Sequence, residues 1–361
     1  MNKRFNQLTK ISLILIYLVI IAGAIVRMTG SGMGCPDWPK CFGYMIPPTE
    51  EKELFFKPYH HYNEGEMILL NSERFYTALK DFKSDELINL SNWNLFEKHD
   101  YVTYDPVHTW IEYLNRLIGA LAGIPILLFT IISIYYWRDY KYLTLISVLT
   151  VLGMGFQAWL GKTVVDSNLA PYKITIHMLM ALVIVGLILV LIVQTKKVNK
   201  SNNKLFKNLI IFSIILTLIQ VVLGTQVREF VDEQVKLIGY DKANWLTGVP
   251  LKFYIHRSFS VLVLIVNLYL LYLNKKLNLG YNKINYVIVL IGVEIFTGIL
   301  MYYFDFPLLS QPIHYTIIHF NKYLLLERLQ IFNCNFCINR IRNGISSVAW
   351  KNCGRLEFNS L

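Results

Sequence analysis

The chain has 361 residues, of which 54% are apolar and only 16% are charged, and its mean hydropathy is positive. This composition excludes a soluble globular protein and indicates an integral membrane protein with several spans. The formal net charge is +11, but the basic residues lie in short loops between apolar runs, so the charge does not indicate a nucleic-acid partner.

Seven apolar runs are long enough to cross a bilayer, which takes about 20 mostly apolar residues. They cover roughly residues 11–26, 110–136, 142–160, 175–194, 206–224, 253–273 and 284–303. An eighth span would begin near residue 313, but polar and charged residues interrupt it soon afterwards. We therefore predict an all-α integral membrane protein with about eight transmembrane helices, of which the eighth is degenerate.

The predicted spans form two tandem four-helix bundles, divided by a polar, basic loop near residues 196–207. The N-terminal half covers residues 1–195 and includes an extracytoplasmic loop at 28–107. The unusually long part of this loop, at 42–107, is expected to form a small extracytoplasmic cap. The C-terminal half covers residues 205–332, and residues 333–361 form an aberrant polar tail. Basic residues cluster in alternate loops, so the positive-inside rule places the N-terminus in the cytoplasm.

The first motif, Gly30-Ser-Gly-Met-Gly-Cys35-Pro-Asp-Trp-Pro-Lys-Cys41, follows the first span. Its two cysteines lie in a predicted outer loop, where oxidation is favoured, and a disulfide between them would close a small loop. Two interpretations remain open at this point, a rigid structural turn and a redox role. By contrast, Cys334, Cys337 and Cys353 lie in the predicted cytoplasmic tail, where thiols stay reduced.

The second motif, His108-Thr-Trp-Ile-Glu112-Tyr-Leu-Asn115-Arg116, opens the second span. His108, Glu112 and Asn115 fall near one helical stripe. A carboxylate at the membrane boundary predicts a functional role, so Glu112 is the one acid that stands out. The alternative is an ion pair between Glu112 and Arg116, which are one helical turn apart.

Histidines recur in a pattern that indicates a tandem duplication. Gly161 stands sixteen residues before His177, and Gly298 stands sixteen residues before His314. Asn115-Arg116 and His256-Arg257 likewise occupy matching places. A single histidine is more often structural, but histidines at equivalent depths on neighbouring helices are what a haem iron requires.

Two further segments repeat each other, since Gly23 and Gly224 each precede a Val-Arg pair that ends an apolar run. Four arginines thus lie near the outer ends of helices: Arg27, Arg116, Arg228 and Arg257. An arginine fork suits a carboxylate such as a haem propionate. The alternative is that these side chains reach toward the membrane interface.

The residues now match a known family. The run Gly23-Ala-Ile-Val-Arg-Met-Thr-Gly-Ser-Gly-Met-Gly-Cys-Pro-Asp-Trp-Pro-Lys-Cys41 resembles the first-span signature of haem A synthases. Glu112-x-x-Asn115-Arg116 resembles that family's Glu-x-x-His-Arg motif. His177, His256-Arg257 and Pro312-Ile-His314 match its other histidine positions in order, and the resemblance covers about residues 10–315.

The resemblance implies an oxidoreductase that converts the C8 methyl of haem O to a formyl group, giving haem A for cytochrome c oxidase. It implies that His256 and His314 ligate a haem B cofactor, while His177 lies beside the iron of the substrate haem O. Glu112 would be catalytic, together with the cysteine pair Cys35 and Cys41. The implied partners are haem O synthase, an electron donor such as a quinol, and cytochrome oxidase assembly factors, in a bacterial cytoplasmic membrane.

One departure from the family pattern concerns the substrate iron. Asn115 stands where the family has histidine, and asparagine is a poor iron ligand. Either His177 holds the substrate iron alone, or His108 replaces the missing ligand from about 10 Å along the helix.

Two other functions compete with the synthase. A non-catalytic di-haem membrane electron carrier of the b type would use the same histidines but would need neither Glu112 nor the cysteine run. An inverted-repeat transporter fits less well, because the duplication is parallel and the polar residues cluster at helix ends.

Overall fold

The computed structural model describes residues 3–70, 74–97, 103–194, 203–239, 241–307 and 309–317. Within these ranges, seven helices are long and apolar enough to cross a membrane. They are α1 (Lys3–Thr29), α2 (Pro106–Tyr135), α3 (Lys141–Asp166), α4 (Pro171–Gln194), α5 (Lys204–Ile238), α6 (Leu251–Lys276) and α7 (Ile284–Tyr303). The seven predicted spans are therefore confirmed.

Residues 310–317 are also helical, at the place where the eighth span was predicted to begin. The rest of that span lies outside the described residues. The predicted tail at 333–361 lies outside them as well, with its three cysteines.

Local sequence signals set the helix ends. The Asp105 side chain accepts a hydrogen bond from the N–H of His108 at 2.9 Å, and Pro106 occupies the first turn of α2. Asn203 caps α5 in the same way, through the N–H of Phe206 at 2.9 Å. Each cap satisfies a backbone donor that the first turn of a helix leaves unpaired. At the other end of α5, Gly239 has a φ of 69°, which favours glycine.

The N-terminal half is a closed four-helix bundle, since α1 contacts α2, α2 contacts α3, α3 contacts α4, and α4 returns to α1. Ile20, Phe129 and Ile188 lie in its core. Large apolar side chains such as Leu121 and Leu152 are exposed on the outer faces, as expected of helices that face lipid.

The C-terminal half has its own core, formed where α5 packs on α6 and α6 packs on α7. Phe206, Leu270 and Ile284 lie at its centre. The halves meet where α4 contacts α5, and an ion pair between Arg27 and Asp232 also joins them.

The long loop after α1 contains a small unit of short strands, which we call the cap (residues 30–70, 74–97 and 103–105). The strands are β1 (His61–Tyr62), β2 (Met67–Leu70), β3 (Arg74–Ala78), β4 (Phe82–Lys83) and β5 (Trp93–Leu95). One antiparallel sheet has the order β2-β3-β5, with Ile68 opposite Tyr76 and Thr77 opposite Asn94, and β1 pairs with β4. The sequence pattern did not predict these strands. We call the helix ends next to this unit the cap end.

Candidate functional site

The first motif packs directly on the cap end of α2. Cys35 and Cys41 form a disulfide and are both almost completely buried. A Cβ at Gly34 would overlap the carbonyl oxygen of His108, so only glycine allows the loop to come this close to the helix. The Thr109 hydroxyl donates to the carbonyl oxygen of Gly34 at 2.8 Å, which fixes the loop against the first turns of α2.

Glu112 lies beneath this loop and is only 5% exposed. Its Oε2 accepts a hydrogen bond from the backbone N–H of Cys35 at 2.8 Å, and its Oε1 accepts one from Arg116 at 2.5 Å. The ion pair considered from the sequence is therefore present. It does not exclude a functional role, because both oxygens of the carboxylate are held in place at the edge of the bundle.

Arg116 connects the carboxylate to the disulfide loop. Besides Glu112, its guanidinium donates to the carbonyl oxygens of Cys35 at 3.0 Å, Asp37 at 2.8 Å and Lys40 at 3.0 Å. A planar fork can satisfy several acceptors at once in this way. The predicted contact of Arg116 with a haem propionate stays a prediction, and the geometry gives this side chain a positioning role.

Asp37 closes the same loop from within. Its two carboxylate oxygens accept hydrogen bonds from the N–H groups of Phe42 at 2.6 Å and Gly43 at 2.8 Å. Burial raises the pKa of Asp37 above its usual value, and the two hydrogen bonds and the charge of Arg116 oppose that shift. Sequence reasoning did not single out Asp37, because a lone aspartate in a turn carries no distinguishing pattern.

The glycines of the repeat lie against the ligand candidates in every helix pair. A Cβ on Gly161 would lie 3.4 Å from Cε1 of His177, one on Gly224 would lie 3.0 Å from Cε1 of His256, and one on Gly298 would lie 3.7 Å from Cε1 of His314. In the α1–α2 pair, a Cβ on Gly23 would lie 3.8 Å from Oδ1 of Asn115. Four equivalent contacts thus place three histidines and one asparagine.

The residue one turn before the glycine ties each histidine helix to its partner, through a side-chain amide in two pairs and through the backbone carbonyl in the third. Gln157 Nε2 donates to the carbonyl oxygen of His177, and Gln220 Nε2 donates to that of His256, both at 3.1 Å. In the third pair, Nδ1 of His314 lies 2.9 Å from the carbonyl oxygen of Glu294. These polar positions were not identified from the sequence, although their common spacing of four residues from the glycine is visible there.

The hydrogen bonds leave imidazole nitrogens in the form that binds iron. Nδ1 of His314 faces a carbonyl oxygen, which only accepts, so this nitrogen carries the proton and Nε2 holds a lone pair. Nε2 of His177 lies 3.2 Å from the amide nitrogen of Gln157, and it accepts a hydrogen bond there when the ring proton is on Nδ1. In the C-terminal half, His256 faces Gly224 and His314 faces Gly298.

Buried polar atoms show that these sites suit a bound group. In the described part of the chain, Nδ1 of His177, Nδ1 of His256 and Oδ1 of Asn115 are buried without a hydrogen-bond partner. Such atoms are costly in an apolar interior unless something binds there. Glycines beside the rings, lone pairs on the imidazoles and these buried atoms together fit haem as the group.

His108 occupies a different level. It lies in the first turn of α2, where its backbone packs against the Gly34 loop, seven residues before the position that faces Gly23. The structure therefore places His108 with the cap and Asn115 with the histidines.

Two of the four arginines meet between the halves. Arg27 pairs with Asp232, and Arg228 contacts the same carboxylate at 2.8 Å and Gln311 at 2.5 Å. Arg228 also donates to the carbonyl oxygen of Arg27 at 3.2 Å. The propionate role predicted for these two arginines stays a prediction. Asp232 was missed from the sequence, because it pairs with a residue 205 positions away.

Arg257 is exposed and lies over the ring of Tyr254, with its guanidinium carbon 5.4 Å from the ring centroid. Its counterpart in the N-terminal half, Arg116, is instead bound to the disulfide loop. Because Asn115 corresponds to His256 in the repeat, Glu112 corresponds to Phe253. The ring of Phe253 stacks on that of Tyr302, with centroids 5.2 Å apart. The carboxylate therefore belongs to one half only.

Comparison with known proteins agrees with this architecture. The family model COX15-CtaA, described as cytochrome oxidase assembly protein, matches residues 6–82 and 97–320. A protein of Orientia tsutsugamushi (strain Boryong), named heme A synthase, is 29% identical over 367 residues, covering 87% of this chain and 93% of that protein. A heme A synthase of Flavobacterium johnsoniae is 24% identical over 334 residues, covering 83% of this chain and 89% of that protein.

A heme A synthase of Shewanella oneidensis is 27% identical over a shorter stretch of 193 residues, which is 54% of this chain and 46% of that protein. The family model extends from the first span to the start of the eighth and includes all the candidate site residues. The chain therefore belongs to the COX15-CtaA family of cytochrome oxidase assembly proteins.

Proposed function

We propose that this protein is a haem A synthase, which oxidises the C8 methyl group of haem O to a formyl group. The observation that carries the proposal is the repeated contact of a glycine with a partly buried histidine, combined with one carboxylate that occurs in the N-terminal half alone. The names of the relatives support the same activity. They give no support to the alternative of a non-catalytic electron carrier.

In this proposal the two halves have different tasks. His256 and His314 would hold a haem B cofactor in the C-terminal half, and a bound haem B supplies one-electron transfer at its iron. His177 would lie at the iron of the substrate haem O in the N-terminal half. Support comes from Glu112, which lies three residues before Asn115 on α2 and therefore near the same end of that bundle.

Glu112 would act on the methyl group through its charge and through proton transfer. Its Oε1 and Oε2 are fixed by Arg116 and by the N–H of Cys35, so the carboxylate is pre-organised and needs no rearrangement during the reaction. The disulfide between Cys35 and Cys41 holds the loop that carries this N–H. Both cysteines are buried, which favours a positioning role over exchange of electrons with an external thiol.

We infer the remaining setting from the charge pattern and from the chemistry of the substrate. Basic loops at the end opposite the cap support a cytoplasmic N-terminus in a bacterial cytoplasmic membrane. The substrate must come from a haem O synthase, and an electron donor such as a quinol would serve the haem B half. Transfer of the product would involve cytochrome oxidase assembly factors.

The test is haem A production in bacterial cells that lack their own haem A synthase and make haem O. Membranes would be analysed by chromatography and mass spectrometry, with haem A expressed per chain. We expect haem A from the natural chain, and a loss of more than about tenfold in Glu112→Gln, because an amide offers one acceptor where Arg116 and Cys35 need two. Conversion by Glu112→Gln at the natural rate would contradict the proposed role of the carboxylate.

Matched controls come from exposed residues of the cap. Glu86→Gln makes the same chemical change as Glu112→Gln, and His61→Ala is the control for His177→Ala. Glu86 and His61 are exposed, so these two control variants should leave haem A production unchanged. If the natural chain reaches the membrane in the same amount as these controls and leaves haem O unconverted, the proposed function is wrong.

A further inference from the structure

One of the four repeated positions departs from the others on both of its helices. On α2, Asn115 occupies the place that histidine occupies in the other three pairs, facing Gly23. On α1, Val19 occupies the place of the polar residue one turn before the glycine, where the other pairs have Gln157, Gln220 and Glu294. Asparagine in place of histidine on α2 and an apolar residue on α1 therefore occur together. Gln157 and Gln220 contact the histidine helix through their side chains, and Glu294 does so through its backbone carbonyl.

The two changes remove iron-binding capacity from this position. An amide oxygen is a far weaker donor to haem iron than an imidazole nitrogen. Val19 packs into the apolar core of the N-terminal bundle, so no polar side chain from that site ties α1 to α2 as Gln157 ties α3 to α4. What remains is Oδ1 of Asn115, buried and without a hydrogen-bond partner in the part of the chain that the structure describes.

We propose that a haem in the N-terminal half has one protein ligand, His177, and that its second axial position takes a small exogenous ligand, such as water or a diatomic gas, next to Asn115. The inference rests on the proposed haem-binding role of this half. Asn115 is suited to be the neighbour of such a ligand, because its amide both donates and accepts hydrogen bonds. The two histidines of the C-terminal half give the opposite case, an iron closed on both sides.

His108 does not fill the vacant role. It lies about 10 Å nearer the cap along α2 than Asn115 does, and its backbone packs against Gly34. A shift of α2 that brought His108 to the level of Gly23 would break the hydrogen bond between Thr109 and Gly34 and the one between Cys35 and Glu112.

Spectroscopy of the purified full-length chain loaded with haem B tests the inference without any turnover. We expect two ferric haems per chain by electron paramagnetic resonance, about one low-spin and about one high-spin. The reduced protein should bind about one carbon monoxide per chain. The haem of the N-terminal half has an open axial position, whereas the haem of the C-terminal half has a histidine on each side. His256→Ala should remove the low-spin species, and His177→Ala the high-spin species.

The decisive variant restores the repeat. Asn115→His should convert the high-spin species to low-spin and reduce carbon monoxide binding from about one to about zero per chain. Asn115→Ala should keep the high-spin species and its carbon monoxide, since the asparagine is a neighbour and not a ligand. Asn285→His, at an exposed position of α7, is the matched control and should change neither spectrum nor gas binding.

Several outcomes would overturn the inference. Two low-spin haems in the natural chain would mean a second protein ligand, and a new high-spin species in His108→Ala would identify it. A high-spin species that survives His177→Ala would show that the ligand is another residue, and a chain that binds a single haem would show that this half has no such site. Failure of the synthase activity alone would leave these spectra as expected, so the two proposals fail separately.

Discussion

Gly224→Ala is expected to weaken haem binding in the C-terminal half. The added Cβ would lie 3.0 Å from Cε1 of His256, so the ring must move by a few tenths of an ångström. Without haem, the side chain can relieve this contact by turning. A ring that is bonded to iron cannot turn freely, so the cost falls mainly on the haem-bound state.

The size of the effect follows from two opposing contributions. Overpacking a filled site costs about 1–3 kcal/mol, which corresponds to roughly 5- to 150-fold weaker binding. Replacing a helical glycine by alanine also stabilises the helix by about 1 kcal/mol, but this gain is common to both states and does not restore affinity. The same substitution at Gly298 brings the Cβ only to 3.7 Å from His314, an ordinary contact, so haem binding should be nearly unchanged.

The assay is titration of the purified variants with haem B, followed by the low-spin absorption of the C-terminal site. Gly292→Ala on α7 is the control, because apart from its own stretch of helix no described atom lies within 4 Å of the added Cβ. It should bind haem normally and unfold at a slightly higher temperature. If Gly224→Ala binds haem as tightly as Gly292→Ala, with the same spectrum, the contact between glycine and histidine does not shape the site and the reasoning is wrong.

Three further predictions concern the charged residues. Arg116→Lys keeps the charge but loses the fork, so haem A per chain should fall by about tenfold or more while haem content is retained. Burial raises the pKa of Asp37, so its contribution to stability is complete below the unfolded value of 3.8 and is lost as the pH rises through the folded pKa. The temperature of thermal unfolding should therefore fall as the pH rises from about 4 to about 8, and Asp37→Asn should remove this contribution to the slope. Asp232→Asn leaves two arginines facing each other and should lower the unfolding free energy by about 1–3 kcal/mol, whereas Glu233→Gln at the exposed neighbouring position should not.

The sequence predicted the helices well because a membrane span depends on a local property. About 20 apolar residues in a row are visible without knowledge of the fold, and all seven such runs are helices. The strands of the cap were not predicted, because strands such as β1 and β4 have only two residues each and their pairing depends on residues far apart in the chain. The repeat of Gly161 and His177 with Gly298 and His314 was visible because its spacing is constant.

The ion pairs of the site could not be predicted from local sequence patterns. From the sequence, Arg27 and Arg228 were expected to contact a haem propionate or to reach the membrane interface. In the structure both arginines pair with Asp232. Asp232 lies in a charged stretch whose sequence suggests a loop. In the structure this stretch is the last part of helix α5. A partner of this kind depends on how the two halves pack, which no local pattern records.

The two halves repeat one pattern of glycines that face polar residues, but they differ in the side chains around it. The N-terminal half has a carboxylate, Glu112, with one histidine and Asn115, whereas the C-terminal half has two histidines and an aromatic pair in the place of the carboxylate. The segment between α5 and α6 also contains no cysteine, so no equivalent of the disulfide loop can hold a carboxylate there. A carboxylate held in the same way in the C-terminal half would therefore require more than one substitution.

This difference between the two halves leads to a last prediction. Phe253→Glu places a carboxylate at the position equivalent to Glu112, but with neither the Cys35 N–H nor the carbonyl oxygens that orient Arg116. Haem A production in the double variant with Glu112→Gln should stay as low as in Glu112→Gln alone, measured by chromatography of membrane haems. Recovery of haem A in the double variant would mean that a carboxylate in either half is sufficient, and that the disulfide loop is not needed to position it.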